Sequence, residues 1–195
     1  MIATAIDPGV PADLPAMGHR RWLVAFGLVL AVGALLFVVS RPGQSPQGAL
    51  PAAAPFSLPS LADDGSVVSL DALAGKPAVI NFFASWCAPC RRELPALRES
   101  AEQFGNRVHF IGINHQDTGP DARALLDEFS ITYPAGFDPK GETAFAYGLR
   151  GLPATVFITA DGRIKTIRHG ELTAATLEQE ITGLLGASPT LQRTP

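Results

Sequence analysis

Apolar and polar positions divide the chain into an apolar N-terminal run, a Pro-rich stretch and a long region of mixed elements. The run from Trp22 to Val39 holds 18 residues without a charge, close to the length of a bilayer span. Residues 41–55 are rich in Pro, Ala and Gly and show no apolar periodicity, which is typical of a partly stiff tether. From residue 56 onward, short apolar runs alternate with amphipathic stretches. This order predicts a single folded domain behind a tether.

The apolar run predicts an uncleaved transmembrane anchor. A cleaved signal peptide is the alternative, but its apolar region usually covers only about 7–15 residues. Basic residues 19–21 precede the run and only Arg41 follows it closely, so the positive-inside rule keeps the N-terminus in the cytoplasm. The predicted organisation is a cytoplasmic tail (1–21), an anchor (22–40), a linker (41–55), a globular domain (56–187) and a C-terminal tail (188–195).

Strand and helix patterns alternate within the predicted domain. Residues 78–84, AVINFFA, form an apolar run typical of a central strand that is covered on both faces. Asp64-Gly65 and Asp161-Gly162 are turn signals that predict an N-terminal hairpin and a late hairpin within residues 155–170. A further strand is predicted at residues 107–114, and helices at 87–104, 119–130, 141–148 and 173–186. Behind the N-terminal hairpin, the order β-α-β-α-β-β-α predicts an α/β fold with a mixed sheet.

Composition and charge exclude only a few classes of function. The hydrophobic content of 47% supports a real core, and the formal net charge is -3. There is no sustained Lys/Arg cluster and no set of interleaved aromatic residues. The sequence therefore gives no sign of a nucleic-acid partner.

Cys87 and Cys90 are the only two cysteines in the chain. They lie where the predicted central strand gives way to a helix, and residues i and i+3 of a helix are about 5–6 Å apart. This pair can therefore form a disulfide without unfolding the domain. Three interpretations compete for such a pair, namely a structural disulfide, half of a metal site, and a redox-active dithiol.

The first two interpretations explain the pair poorly. A disulfide that closes four residues contributes only about 1.9 kcal/mol by the chain-entropy relation. A structural metal site needs about four ligands, no further cysteine exists, and the histidines are scattered at positions 19, 109, 115 and 169. A C-x-x-C pair at a strand-to-helix junction favours the redox dithiol.

The residues around the pair resemble the active site of the membrane-anchored thioredoxin-like proteins of the TlpA/ResA/CcmG (DsbE) family. The resemblance covers residues 56–186 and rests on WCAPC with Trp86 and the Ala88-Pro89 spacer, on Pro95, on GINHQD, and on YGLRGLPATVFITADGRI. It implies a thioredoxin-like fold with a central mixed sheet flanked by helices, an extra N-terminal β-hairpin and one transmembrane helix. It also implies that Pro153 is cis and faces the dithiol. One departure is Ala154, where the CcmG branch usually has Glu.

The two cysteines are predicted to have different chemical roles because they occupy different positions on the helix. Cys87 lies at the helix N-terminus, where unpaired N–H groups and the helix dipole favour a thiolate, and Cys90 lies one turn deeper. We therefore expect Cys87 to attack and Cys90 to resolve the mixed disulfide. Thioredoxin has a buried Asp where this chain has Asn81, and the resemblance instead places an acid at Glu93. Glu93 is interpreted as a partly buried proton relay or as a solvated surface residue.

The resemblance implies an enzyme that reduces client disulfides outside the cytoplasmic membrane. Expected clients are apocytochrome c, or others such as copper-handling proteins, and the expected electron donor is a polytopic membrane protein of the CcdA/DsbD type. No cofactor and no metal are implied. A peroxiredoxin-like peroxidase is a rival, but Ile80 and Ala84 stand where its P-x-x-x-T-x-x-C motif needs Pro and Thr. A redox-inactive binding module is the remaining alternative.

Overall fold

The computed structural model describes residues 50–62 and 64–186. The predicted cytoplasmic tail, the anchor, most of the linker and the C-terminal tail lie outside these ranges. Within the two ranges, none of the helices has the length and hydropathy that a bilayer span requires.

A five-stranded mixed sheet forms the centre of the domain, with the strand order β5-β4-β3-β6-β7. The strands are β3 (Ala78–Phe83), β4 (His109–His115), β5 (Ala135–Asp138), β6 (Ala154–Ile158) and β7 (Ile164–His169). β3, β4 and β5 pair in parallel, whereas β6 and β7 are antiparallel to their neighbours. All six residues of β3 are buried, which confirms the central strand predicted from its apolar run.

Four α-helices connect and cover these strands. They are α1 (Ala88–Phe104), α2 (Gly119–Glu128), α3 (Glu142–Ala146) and α4 (Ala174–Gly186). The Thr118 hydroxyl accepts from Asp121 N–H at the start of α2, and the Thr173 hydroxyl accepts from Thr176 N–H at the start of α4, both at 3.2 Å. The second bond makes Thr173 a side-chain cap of α4, the helix predicted at residues 173–186. Pro95 lies inside α1 and removes one backbone donor from that helix.

A short hairpin precedes the sheet, as the turn signal at Asp64-Gly65 predicted. It pairs β1 (Ser57–Pro59) with β2 (Val67–Ser69). Gly65 has φ +73°, a conformation that favours glycine. The hairpin contacts the edge of the main sheet through the hydrogen bond from Leu61 N–H to the Ala135 carbonyl, 2.8 Å.

The two faces of the sheet carry separate cores. Val79 and Phe83 belong to the core that contains the buried side chains of α1, α2 and α4. Ile80 and Phe82 belong to the opposite core, which contains buried side chains of β2 and α3. The alternation follows from the period of two along a strand. It places α1 and its N-terminal cysteines on a sheet that is covered on both sides.

The structure adds elements that the sequence did not predict. β5 is an additional parallel edge strand, and a single 3-10 turn covers Asp71–Leu73. Contacts with the domain also begin before residue 56. Ala53 N–H donates to the Gly162 carbonyl at 2.9 Å, and the Tyr147 hydroxyl donates to the Ala54 carbonyl at 2.9 Å.

Candidate active site

The two cysteines form a disulfide at the N-terminus of α1. Their Cα atoms are 5.2 Å apart, within the usual range for a disulfide. Cys87 is the N-cap residue, and its Sγ accepts a hydrogen bond from Cys90 N–H at 3.2 Å. Cys87 is 4% exposed and Cys90 is 0% exposed. The N-cap residue is therefore the slightly more exposed of the two cysteines, and a backbone donor is directed at its sulfur.

Trp86 and the Ala88-Pro89 spacer flank this disulfide. Ala88 and Pro89 occupy the first turn of α1, where a missing N–H costs no intrahelical bond. Trp86 is 62% exposed, and its Nε1–H donates to the Gln116 carbonyl at 3.1 Å. One hydrogen bond therefore anchors a large exposed ring beside the cysteines.

Asp117 holds the junction between β3 and α1. Its carboxylate accepts from Ser85 N–H at 2.6 Å and from the Ser85 hydroxyl at 2.8 Å. It also accepts from Asn114 Nδ2 at 2.9 Å and from Thr118 N–H at 2.8 Å. Burial alone would raise the pKa of Asp117, but these hydrogen bonds outweigh burial and hold its pKa below the ordinary value. No sequence pattern predicted this role, although the motif GINHQD contains Asp117.

The Leu152-Pro153 peptide bond is cis, as the resemblance implied. The next residue, Ala154, pairs with Phe82 near the carboxyl end of β3. Pro153 therefore lies at the edge of the sheet from which the chain continues to Cys87.

Glu93 is buried on the helix that begins at the cysteines. It is 1% exposed, which excludes a solvated surface position. Its Oε1 accepts from Asn81 Nδ2 at 2.7 Å, and its Oε2 accepts from Leu172 N–H at 2.9 Å. Because Glu93 follows Cys90 by three residues, both side chains lie on one face of the helix.

The surroundings of Glu93 shift its pKa strongly. Burial raises the pKa, the hydrogen bonds from Leu172 and Asn81 lower it, and the negative charge of Glu171 raises it, for a result of about 7. Burial is the largest of these effects. A carboxyl with this pKa gains and loses a proton near neutral pH, which is the property that a proton relay needs.

A surface pocket of about 650 Å³ opens beside Trp86. Its apolar wall includes Leu149, Leu152 and Phe145, and Phe145 is 86% exposed. Lys140 and Arg150 also line it. The volume of the pocket falls within the range of about 300–1,000 Å³ that is usual for ligand sites, and part of its wall is apolar.

His115 is the last residue of β4 and lines the same pocket. Its ring lies so close to Gly141 that an added Cβ there would be 2.5 Å from His115 Cε1. Across residues 50–62 and 64–186, no group of three His, Cys, Asp or Glu side chains is arranged to hold a metal ion.

Comparison with known proteins gives the family. The model of the AhpC/TSA family matches residues 51–167. The thiol:disulfide interchange protein DsbE of Allochromatium vinosum is 36% identical over 166 residues, covering 83% of this chain and 91% of the relative. The chain belongs to the AhpC/TSA family. Within it, the chain is related to the thiol:disulfide interchange proteins of the DsbE and ResA kind.

A second relative and a solved structure support the assignment. The thiol-disulfide oxidoreductase ResA of Oceanobacillus iheyensis is 32% identical, covering 65% of this chain and 68% of the relative. The crystal structure of a thioredoxin-family thiol:disulfide interchange protein from Chlorobium tepidum has a TM-score of 0.65 at 26% identity, covering 71% of this chain and 99% of that one. The protein is therefore a thiol-disulfide oxidoreductase with a thioredoxin-like fold, which confirms the fold and the reaction class predicted from the sequence.

Proposed function

We propose that this protein reduces disulfides of client proteins outside the cytoplasmic membrane, with Cys87 and Cys90 as the reacting pair. The observation that carries the proposal is the Cys87–Cys90 disulfide at the N-cap of α1, where Cys90 N–H donates to Cys87 Sγ at 3.2 Å. The same donor and the helix N-terminus would stabilise a Cys87 thiolate once the pair is reduced.

The reaction consists of two thiol-disulfide exchanges. The Cys87 thiolate attacks one sulfur of the client disulfide, which forms a mixed disulfide and releases the other client sulfur as a thiolate. Cys90 then loses its proton and attacks Cys87 Sγ, which releases the second client sulfur and closes the Cys87–Cys90 disulfide. The client gains two electrons and the protein loses two. Glu93 accepts the proton of Cys90 in the second step.

The remaining residues of the site position the client and the pair. Trp86 and the pocket beside it present apolar surface to the client chain around its disulfide. Ala88 and Pro89 separate the cysteines by one turn of helix without adding a charged group. Pro153 supplies a loop backbone beside the pair and no side chain that reacts with thiols.

The direction of electron flow is towards the client. The Ala88-Pro89 spacer has no histidine, so no spacer charge stabilises the reduced thiolate form. The pair therefore holds its disulfide more firmly and donates electrons more readily than DsbA, whose reduced form is stabilised. Because the compartment outside the membrane is oxidising, continued turnover needs an electron donor, and a polytopic membrane protein of the CcdA/DsbD type fits this need.

The N-terminal sequence and the relatives support a proposal for the cellular setting. The largely apolar segment 22–40 anchors the protein in the cytoplasmic membrane in a single pass, and the domain faces the periplasm. The resemblance of the sequence to the TlpA/ResA/CcmG (DsbE) family implies cytochrome c maturation as the process, with apocytochrome c as client. Copper-handling proteins are the second class of client.

The proposal is tested by trapping the mixed disulfide. Cys90→Ser leaves the attacking thiol without its resolving partner, so stable mixed disulfides with clients should accumulate and should disappear on reduction. Cys87→Ser, the matched control, should trap none. In the reduced parent protein near neutral pH, an alkylating reagent should label Cys87 before Cys90. Faster labelling of Cys90, or trapping by the control variant alone, would reverse the assignment.

A further inference from the structure

Asn81 is a buried polar residue in the middle of the central strand. It is 1% exposed and lies on the sheet face that carries α1, because it alternates with Ile80 and Phe82 of the opposite core. Its Nδ2 donates both to Glu93 Oε1 at 2.7 Å and to Thr155 Oγ1 at 3.1 Å. One side-chain amide therefore joins the helix of the cysteines to the strand after Pro153.

Thr155 fixes the position of this amide. It pairs directly with Asn81 across β3 and β6 and is 0% exposed. Its hydroxyl can either accept or donate a hydrogen bond. Thr155 can therefore keep its contact with Asn81 whichever end of the amide faces it.

The other end of the amide lacks a partner. Asn81 Oδ1 is buried and accepts no hydrogen bond from any residue in the described ranges. A buried acceptor without a donor is uncommon in proteins and calls for an explanation. The explanation lies in the two protonation states of the neighbouring carboxyl.

An ionised Glu93 only accepts hydrogen bonds, so Asn81 must turn its NH2 group towards it, which leaves Oδ1 without a donor. A protonated Glu93 has an O–H donor. Rotation of the Asn81 amide by half a turn then places Oδ1 where it accepts from Glu93, and the Thr155 hydroxyl donates to the same oxygen. Leu172 N–H continues to donate to Glu93 Oε2 in both states. A Leu at position 81 could form a hydrogen bond to Glu93 in neither state.

We propose that Asn81, held by Thr155, is the positioning residue that keeps the Glu93 carboxyl in place in both protonation states by rotation of its amide. This inference rests on the proposed function of Glu93 as the proton acceptor for Cys90. It assigns the strand residue a role of its own, since the amide of Asn81 changes its orientation when Glu93 on the helix gains or loses a proton.

Other charged and titratable groups surround Glu93 and also interact with its carboxyl. Glu171 acts on Glu93 through its charge, and Arg92 pairs with Glu171 at 2.6 Å. Tyr133, whose buried hydroxyl has no partner in the described ranges, feels the charge of Glu93 in turn. None of these groups donates to Glu93 in the way that Asn81 does.

The first test measures the pKa of Glu93 directly in the full-length oxidised protein by ¹³C NMR of its side-chain carboxyl. Asn81→Leu removes a charge-assisted hydrogen bond from the ionised form and only a weaker, neutral one from the protonated form, so the pKa of Glu93 should rise by about one unit. Asn114→Leu is the matched control, since Asn114 is a second buried Asn in the sheet, at 0% exposure, and contacts Asp117 instead. It should lower stability without moving the pKa of Glu93. An equal pKa in Asn81→Leu and the parent protein would overturn the proposal.

The second test covers the case in which Asn81→Leu fails to fold. It exchanges the amide of residue 81 with the carboxyl of residue 93, which keeps a hydrogen bond between the two side chains. In Asn81→Asp/Glu93→Gln, the Gln amide donates to the new carboxylate and its oxygen accepts from Leu172 N–H. The pH profile of Cys87 alkylation should regain the inflection that Glu93→Gln alone loses. A profile identical to that of Glu93→Gln contradicts the proposal. The NMR titration needs no client, so a shifted pKa without reductase activity would refute only the proposed function.

Discussion

Glu93 Oε2 accepts a hydrogen bond from the backbone N–H of Leu172 at 2.9 Å. This bond ties α1, which begins at the cysteines, to the turn that precedes α4. The adjacent ion pair between Arg92 and Glu171, 2.6 Å, joins the same two segments at the surface. An exposed pair of this kind contributes little to stability, whereas the buried carboxyl makes the stability of the domain depend on pH.

Replacing Glu93 with Gln should change how stability varies with pH. The pKa of Glu93 is raised to about 7 in the folded protein from 4.5, so the folded state binds this proton more tightly than the unfolded state. The contribution of Glu93 is therefore lost progressively as pH rises from about 4.5 to about 7, and amounts to about 3 kcal/mol in full. Relative to Glu93→Gln, the oxidised parent protein should lose stability over this interval, as urea unfolding would show.

Glu99→Gln is the control for this experiment, since Glu99 lies on the same helix with its side chain 64% exposed. Its stability should follow that of the parent protein at each pH. Parallel curves for Glu93→Gln and the parent protein would mean that the buried carboxyl has an ordinary pKa.

Asp117→Ala should loosen the junction between β3 and α1. The change leaves Ser85 N–H and Asn114 Nδ2 without their acceptor, at a cost of about 1–3 kcal/mol at pH 7. The lowered pKa of Asp117 means that its stabilisation is present above the ordinary Asp pKa and is lost as pH falls through the folded value. The difference from the parent protein, measured by urea unfolding, should therefore shrink in strong acid. Asp71→Ala, at an exposed position, is the control and should show no comparable loss of stability. A loss in Asp117→Ala that stays constant with pH would mean that the ionised form of Asp117 does not stabilise the junction.

Phe145→Ser should slow the reduction of protein disulfides more than the reduction of small disulfides. Phe145 is 86% exposed on the wall of the pocket beside Trp86, so its loss should lower kcat/KM for a disulfide-containing protein by about tenfold, as removal of an exposed aromatic contact worth about 1.4 kcal/mol would. The rate with a small disulfide such as oxidised glutathione should fall much less. Val67→Ser, on β2 and 64% exposed, is the control and should change neither rate. Equal losses of rate for both substrates in Phe145→Ser would mean that the pocket does not contribute to binding of protein clients.

The anchor is tested by topology and by the mature N-terminus. Eighteen apolar residues preceded by Arg20 and Arg21 should hold the N-terminus inside and the domain outside. A reporter fused after residue 60 should therefore report an extracytoplasmic position, and the mature protein should begin at Met1. A mature protein that begins after Ser40 would replace the anchor with a cleaved signal.

Much of the fold was predictable because its strongest elements have strong local patterns. The apolar run of β3, the Asp161-Gly162 turn and the Thr173 cap each specify their element within a few residues. β5 gave no such pattern, since Pro134, Gly136 and Pro139 make its surroundings resemble a loop. It forms because it pairs with β4 and because Gly136 lets Leu58 of the hairpin approach, where an added Cβ would be 3.0 Å from Leu58.

The site divides in the same way. Cys87, Cys90 and Pro153 are recognisable from motifs, and the helical spacing of Glu93 places it beside Cys90. The burial of Glu93, its contact with Asn81 and the clamp at Asp117 arise between elements that are distant in the sequence. Asn81 and Thr155 are 74 residues apart, so neither spacing nor composition reveals their hydrogen bond.

The midpoint potential of the Cys87/Cys90 pair tests the proposed reductase most directly. The full-length protein is equilibrated with dithiothreitol or glutathione redox buffers, and its thiols are quantified by alkylation. The reference range runs from about -120 mV for DsbA to about -270 mV for thioredoxin, and spans about 7 kcal/mol at about 30 mV per 1.4 kcal/mol. We expect a value in the lower half of this range, which makes the pair a donor to client disulfides. A value close to that of DsbA would make the protein an oxidant and contradict the proposal.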